Sequence, residues 1–167
     1  MQLSPEQKSA LESFKEGKNI FITGPGGTGK TELIKHLVED AKLRKRNVQV
    51  CALTGCASVL LGCGAKTVHS WANIGLASGD PERIIERVSK SKYKKKAWLN
   101  VDILIIDEVS MMSVKLLEIL DELGRVIRHQ HTIPFGGIQV VLSGDFYQLP
   151  PVGDKDEPDT YKFCFES

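Results

Sequence analysis

What this sequence has little of narrows the field first. Its formal charges nearly cancel, with 22 Lys+Arg against 21 Asp+Glu for a net of +1, so no strong global field draws it to an anionic polymer. A nucleic-acid contact would need basic groups gathered locally. No apolar stretch is long enough to span a bilayer, which argues against membrane association. The start, Met1-Gln2-Leu3-Ser4-Pro5, lacks a basic flank followed by an apolar run, so no secretory signal is read there. The four cysteines (Cys51, Cys56, Cys63 and Cys164) show neither C-x-x-C spacing nor a histidine pair at zinc-finger distance. Free thiols in a soluble intracellular protein are the expectation, and Cys51, inside an apolar run, reads as a small buried hydrophobe. Nucleus, mitochondrion and cytoplasm are not distinguished.

What is present fits one globular domain: 167 residues, 41% hydrophobic and 26% charged, enough for a sizeable core. Ser4 is a good N-cap, Pro5 suits the first helical position, and Gln7 completes a capping box. Ala10, Leu11 and Phe14 then share a face, and Gly17 ends the helix. Four apolar runs follow: Ile20–Ile22, Val48–Leu53, Val101–Ile106 and Ile138–Leu142. They lack clean alternation, as expected of strands covered on both faces of a parallel sheet. Between them Leu33, Ile34, Leu37, Val38 and Ala41 repeat at helical spacing, as do Leu116, Leu117, Leu120, Leu123 and Ile127. A shorter helix is expected from Asp80 (N-cap) and Pro81 through Val88. Strands alternating with helices predict an α/β layered domain. The Asp154–Asp159 stretch reads as a surface loop.

Gly24-Pro25-Gly26-Gly27-Thr28-Gly29-Lys30-Thr31 fits G-x-x-x-x-G-K-[ST] in full, after a strand and opening a helix. The glycines let backbone N–H groups turn inward around phosphate oxygens, and the helix N-terminus adds positive partial charge. Lys30 is the candidate for the β- and γ-phosphates and Thr31 for magnesium. The run Ile103–Ile106 delivers Asp107 and Glu108 at a strand's C-terminal end, the edge where such sheets bind ligands. Asp107 is the second candidate metal residue, and Glu108 is the candidate general base toward an attacking water. A third strand ends in Ser143-Gly144-Asp145-Phe146-Tyr147-Gln148. There Gln148 can offer donor and acceptor to the γ-phosphate or the water, on a loop stiffened by Pro150 and Pro151. By themselves these residues reach a P-loop ATPase that uses ATP and Mg2+, with a glutamine sensor.

Taken together, the stretches resemble superfamily-one DNA helicases of the petite-integration-frequency (PIF) type, relatives of the RecD subunit. The resemblance covers Ser4 to Val152 and resumes at Phe165-Glu166-Ser167. Leu3-Ser4-Pro5-Glu6-Gln7 resembles the adenine-recognising glutamine motif. Ala52–Ser58 with Thr67-Val68-His69-Ser70-Trp71 resembles the DNA-contacting motif Ia region, in which Cys56 and Ser58 stand where alanine is common. Ile106–Met111 and Gly144–Val152 match the family's signatures closely. The resemblance implies a three-layer P-loop NTPase (RecA-like) domain with a mainly parallel central sheet. It also implies ATP-driven translocation along single-stranded DNA, five-prime to three-prime, by a monomer. Thr54 and His69 become candidate DNA contacts. A small insertion is expected around 75–98. Such a motor needs a second RecA-like domain to supply arginines to the γ-phosphate. The chain is therefore expected to be an N-terminal motor domain lacking that C-terminal partner.

Lys94, Lys95 and Lys96 follow Lys90 and Lys92 around Tyr93 without an intervening acid. They form either a phosphate-contacting patch or a solvated face. His129 and His131 read as polar loop residues. A P-loop phosphotransferase would call for an arginine-rich lid and a substrate pocket, and the sequence offers neither. A non-hydrolysing nucleotide-binding module would have little use for Glu108 and Gln148.

Overall fold

The structure, a computed structural model, describes residues 3–23 and 29–145. The expectations for Gly24, Pro25, Gly26, Gly27, Thr28 and Gln148, and for the stretches after Asp145, concern positions outside the described residues.

The first helix, α1 (Pro5–Lys15), starts as its sequence dictates. Ser4 accepts from the Gln7 N–H, and the Gln7 side chain accepts from the Ser4 N–H, a complete capping box. Gly17 leaves the helix in the left-handed region, at φ +81°, which glycine adopts without Cβ strain. The chain then runs through β1 (Ile20–Thr23), α2 (Lys30–Leu43), β2 (Val48–Ala52), α3 (Gly55–Leu61), β3 (Lys66–Thr67) and α4 (Val68–Ala72). It continues through α5 (Pro81–Ser89), α6 (Lys96–Asn100), β4 (Ile103–Ile106), a 3-10 turn (Val109–Met111), α7 (Val114–Ile127), a second 3-10 turn (Pro134–Gly137) and β5 (Gln139–Gly144).

The strands form one five-stranded sheet in the order β1-β5-β4-β2-β3, and every pairing is parallel. Four strands were expected, and the four apolar runs became β1, β2, β4 and β5. The fifth, β3, is a two-residue edge strand with no apolar run to announce it. Val101 is not in a strand as its run suggested; it caps α6, and β4 begins at Ile103.

Two apolar clusters show why the runs lack alternation. Ile103, Ile105 and Val141 face α1 and α2, where they meet Phe14, Leu33, Ile34 and Leu37. Leu104, Ile106 and Val140 face the other way, into Trp71, Val88, Trp98, Leu120 and Leu123. The inner strands β2, β4 and β5 are thus covered on both sides, whereas β1 at the sheet's edge leaves Phe21 exposed and alternates as its run did not announce; the result is a helix–sheet–helix sandwich. Phe14, fully buried, contributes about 1.5–3 kcal/mol by leaving water. Ile84 and Val88 of α5 and Trp98 of α6 join the same core as α7, so the segment after α4 is packed into the domain. Trp71 and Trp98 stack obliquely with ring centroids 4.7 Å apart, and Trp98 Nε1 donates to the Ala72 carbonyl. Among the described residues no helix is long and apolar enough to cross a membrane.

Candidate active site

Because every strand runs the same way, all C-terminal strand ends reach one edge of the sheet. β1 ends there just before the glycine-rich stretch of the sequence, β4 leads into Asp107 and Glu108, β5 into Asp145, and β2 into Thr54. α2 packs on one face of the sheet and α7 on the other, so the two helices start from this edge on opposite sides.

At that edge Gly29 is the N-cap of α2, in the left-handed region at φ +83°. Lys30 and Thr31 are the first residues of the helix, and Thr31 is exposed. The first-turn N–H groups of a helix that is 14 residues long are suited to phosphate oxygens. Gln7 reaches this point from α1. Its Nε2 donates to the Gly29 carbonyl at 3.3 Å while its Oε1 holds the Ser4 N–H at 2.8 Å. The capping glutamine therefore also ties α1 to the end of the glycine-rich loop. One amide hydrogen remains for a ligand, since the group carries two.

Asp107 is anchored by its main chain, its N–H donating to the Cys51 carbonyl at 2.9 Å on the adjoining strand. Glu108 then turns into the left-handed region (φ 63°, ψ 35°), unusual for a residue with a Cβ. Its carboxylate meets the end of β2: the Thr54 hydroxyl donates to Glu108 Oε1 at 3.3 Å. Burial pushes the Glu108 carboxyl above its ordinary value. The Thr54 hydroxyl opposes that rise, the Asp107 carboxylate adds to it, and main-chain N–H groups of Thr54 and Leu53 oppose it again. A carboxylate shifted toward neutrality is better matched to accepting a proton from water. Asp107 and Thr31 supply hard oxygen donors of the kind a magnesium ion takes.

The structure treats the candidate DNA contacts unequally. Thr54, besides holding Glu108, accepts from the Ala57 N–H at 3.2 Å as the N-cap of α3. His69 lines a cleft of about 260 Å³ with Leu53, Leu76, Met111, Ser113 and Lys115, beside the carboxylate strand's exit. Burial holds its imidazole below the ordinary value of 6.5. Lys94 and Lys95 are half-buried and Lys96 is exposed, at the start of α6. Their segment is fastened to the end of α4 by Asn73 Nδ2, which donates to the Lys94 carbonyl at 3.4 Å. Among the described residues, no hydrogen bond or ion pair joins these lysines to Thr54, Glu108 or Gly29. Lys90 is paired with Glu86.

The arginines after the carboxylate strand serve the scaffold. Arg125 bonds both Asp121 oxygens at 3.1 Å and the His131 carbonyl at 2.8 Å. Arg128 bonds the carbonyls of Gly136, Trp98 and Val101 at 3.0–3.1 Å. It fastens α6, the end of α7 and the second 3-10 turn to one another. Cys51 is fully buried, and burial pushes its thiol up to about 12 against the partial opposition of Lys66. Sequence reasoning missed the Thr54–Glu108 and Gln7–Gly29 contacts, which join residues 54 and 22 positions apart.

Comparison with known proteins gives this edge a lineage. The chain is 43% identical over 167 residues to the ATP-dependent DNA helicase PIF1 of Saccharomyces cerevisiae, covering 99% of the chain and 19% of that protein. It is 40% identical over 162 residues to the Pif1 helicase of a Psychrobacter species, covering 97% of the chain and 24% of the relative. It therefore spans about a fifth to a quarter of the length of these curated relatives. The crystal structure of Candida albicans Pif1 superposes with a TM-score of 0.88 at 38% identity, over 100% of this chain and 37% of that one. A Bacteroides Pif1, crystallised with ADP-AlF3 and single-stranded DNA, gives a TM-score of 0.79 at 35% identity, over 94% of this chain and 35% of that one. The fold is accordingly the RecA-like P-loop fold of these proteins. With the family model for PIF1-like helicases matching residues 2–167, the chain belongs to that family.

Proposed function

We propose that this chain is the nucleotide-binding motor domain of an ATP-dependent DNA helicase that moves five-prime to three-prime along single-stranded DNA. The observation that carries the reading is the shared sheet edge. Lys30 and Thr31 open α2 there, and Asp107 and Glu108 leave β4 at the same edge. Gly24, Pro25, Gly26, Gly27, Thr28 and Gly29 form the phosphate loop, with Lys30 neutralising the terminal phosphates. Thr31 and Asp107 hold Mg2+, and Gln7 uses its remaining amide hydrogen on the adenine. When bound, Mg-ATP supplies the phosphoanhydride whose cleavage drives movement. Glu108 takes a proton from water, and Gln148 orients that water.

The relatives' names and the complex of a Bacteroides Pif1 with ADP-AlF3 and single-stranded DNA support this reading. DNA is met by His69 and by Lys94, Lys95 and Lys96, the segment around 75–98 being a family insertion. The domain works as a monomer with a second RecA-like domain outside this sequence. Glu108→Gln tests the proposal. The amide keeps the side chain's size but cannot accept the proton. In a polypeptide extended through the second RecA-like domain, Mg-ATP affinity is expected to stay near wild type while single-turnover hydrolysis falls ~100- to 10,000-fold. Hydrolysis within a few-fold of wild type would remove Glu108 from the role of base.

A further inference from the structure

Thr54 stands at the end of β2, next to β4 in the sheet, where Cys51 pairs with Ile106. Two groups compete for its hydroxyl, and both are satisfied. The oxygen accepts from the Ala57 N–H at 3.2 Å, and the hydrogen goes to Glu108 Oε1 at 3.3 Å. A threonine has a single O–H donor. A phosphodiester oxygen offers only acceptors, so it would have to displace Glu108 to gain that hydrogen.

Glu108 carries a second mark. Its left-handed backbone (φ 63°) is strained for a residue with a Cβ. Such conformations persist only where the surroundings hold them. The carboxylate is held by the neighbouring strand end, through the Thr54 hydroxyl and the Thr54 and Leu53 N–H groups, and the backbone by the Asp107 N–H bond to Cys51 and the Met111 N–H bond to the Glu108 carbonyl at 3.0 Å.

We propose that Thr54 is a positioning residue for the general base: its hydroxyl fixes Glu108 Oε1 so that the other carboxylate oxygen faces the site. The proposal rests on Glu108 being the base. Thr54 thereby acts on hydrolysis itself, in the absence of DNA, and is not a DNA contact.

Substitutions separate this role from helix capping. Serine keeps both acceptor and donor. Glycine is about as good an N-cap as threonine, carries no charge toward Glu108 and has no hydroxyl hydrogen to donate, and valine has neither function. The readout is single-turnover ATP hydrolysis, without DNA, by a polypeptide extended through a second RecA-like domain and in excess over nucleotide, with melting temperature and Mg-ATP affinity measured alongside. Thr54→Ser is expected to restore the wild-type rate. Thr54→Gly and Thr54→Val should each slow hydrolysis by about ten-fold or more at unchanged nucleotide affinity, the scale of one lost hydrogen bond to a charged group. Melting temperature should fall clearly for Thr54→Val and little for Thr54→Gly. In a Glu108→Gln background, adding Thr54→Val should cost no further rate.

A Thr54→Gly protein as fast as wild type would reduce Thr54 to a cap. A slowing that persists undiminished on Glu108→Gln would mean that Thr54 acts on something else. If Glu108→Gln alone hydrolyses as fast as the unaltered chain, the failure belongs to the base assignment and not to Thr54's grip.

Discussion

At the scale of single residues, the site combines side chains that answer to more than one partner. Gln7 shows this best. Its spacing from Ser4 announced a capping box, and the resemblance suggested adenine recognition. The structure adds a bond to the Gly29 carbonyl that neither signal contained. Glutamate in its place would keep the cap and lose that bond, so capping equivalence no longer means equivalence. His69 offers a test through its ionisation. Burial holds its pKa below 6.5, so at neutral pH it is uncharged and would meet DNA by hydrogen bonding alone. The sign for stability follows. On acidification the unfolded chain takes up a proton near 6.5 before the folded one does, so stability present above that pH is lost as pH falls. Between about pH 7.5 and about pH 5.5 the wild-type melting temperature should therefore drop more than that of His69→Asn. Parallel declines in the two proteins would show that burial does not perturb this imidazole.

Elements meet here through close backbone contact as well as through side chains. Gly124 lies inside α7, where a Cβ would sit 2.5 Å from the Phe135 carbonyl oxygen, 2.7 Å from its carbon and 2.9 Å from its Cα. A Cβ on Gly136 would in turn sit 2.2 Å from the Gly124 carbonyl oxygen. α7 and the Pro134–Gly137 turn are therefore pressed main chain to main chain, with Arg128 fastening the same junction. In an exposed helix, glycine to alanine gains about 1 kcal/mol. Here the opposed atoms are backbone and cannot swing aside, so overpacking of ~1–3 kcal/mol should win. Gly124→Ala is expected to lower the melting temperature by several degrees, at roughly 2–4 °C per kcal/mol for a chain of this size. An unchanged or raised value in thermal denaturation would show that the turn yields. The sequence shows only a lone glycine in a helical pattern, and nothing local says what lies against it. The short helices were equally hidden: α3, α4 and α6 have 7, 5 and 5 residues, too few turns for an apolar period to repeat.

For the whole molecule, the fates of Arg125 and Arg128 bear on what the chain can do alone. Stabilising charge on the γ-phosphate by an arginine is worth ~1,000- to 100,000-fold in turnover. Both of these arginines are engaged with scaffold carbonyls and Asp121, and both belong to the end of α7. The chain by itself is thus expected to bind Mg-ATP and hydrolyse it very slowly, with little stimulation by single-stranded DNA. A polypeptide extended through a second RecA-like domain should gain both rate and DNA dependence. Comparable DNA-stimulated rates in the two would show that this domain is self-sufficient. The amino-acid order by itself determined the features that depend on near neighbours. These are the capping box at Ser4, the apolar periods of α1, α2, α5 and α7, the strands β1, β2, β4 and β5, the Lys30-Thr31 step and the Asp107-Glu108 pair. Each is written within a few residues, where helix and strand periods make spacing equivalent to position. Only the tertiary structure decided the strand order, which brings the end of β2 against the end of β4 and so Thr54 against Glu108 across 54 positions. It likewise brought Gln7 to Gly29 and Arg128 to Trp98 and Val101. Such contacts arise from how strands pair and layers pack, and no one-dimensional period encodes which distant residues will face each other.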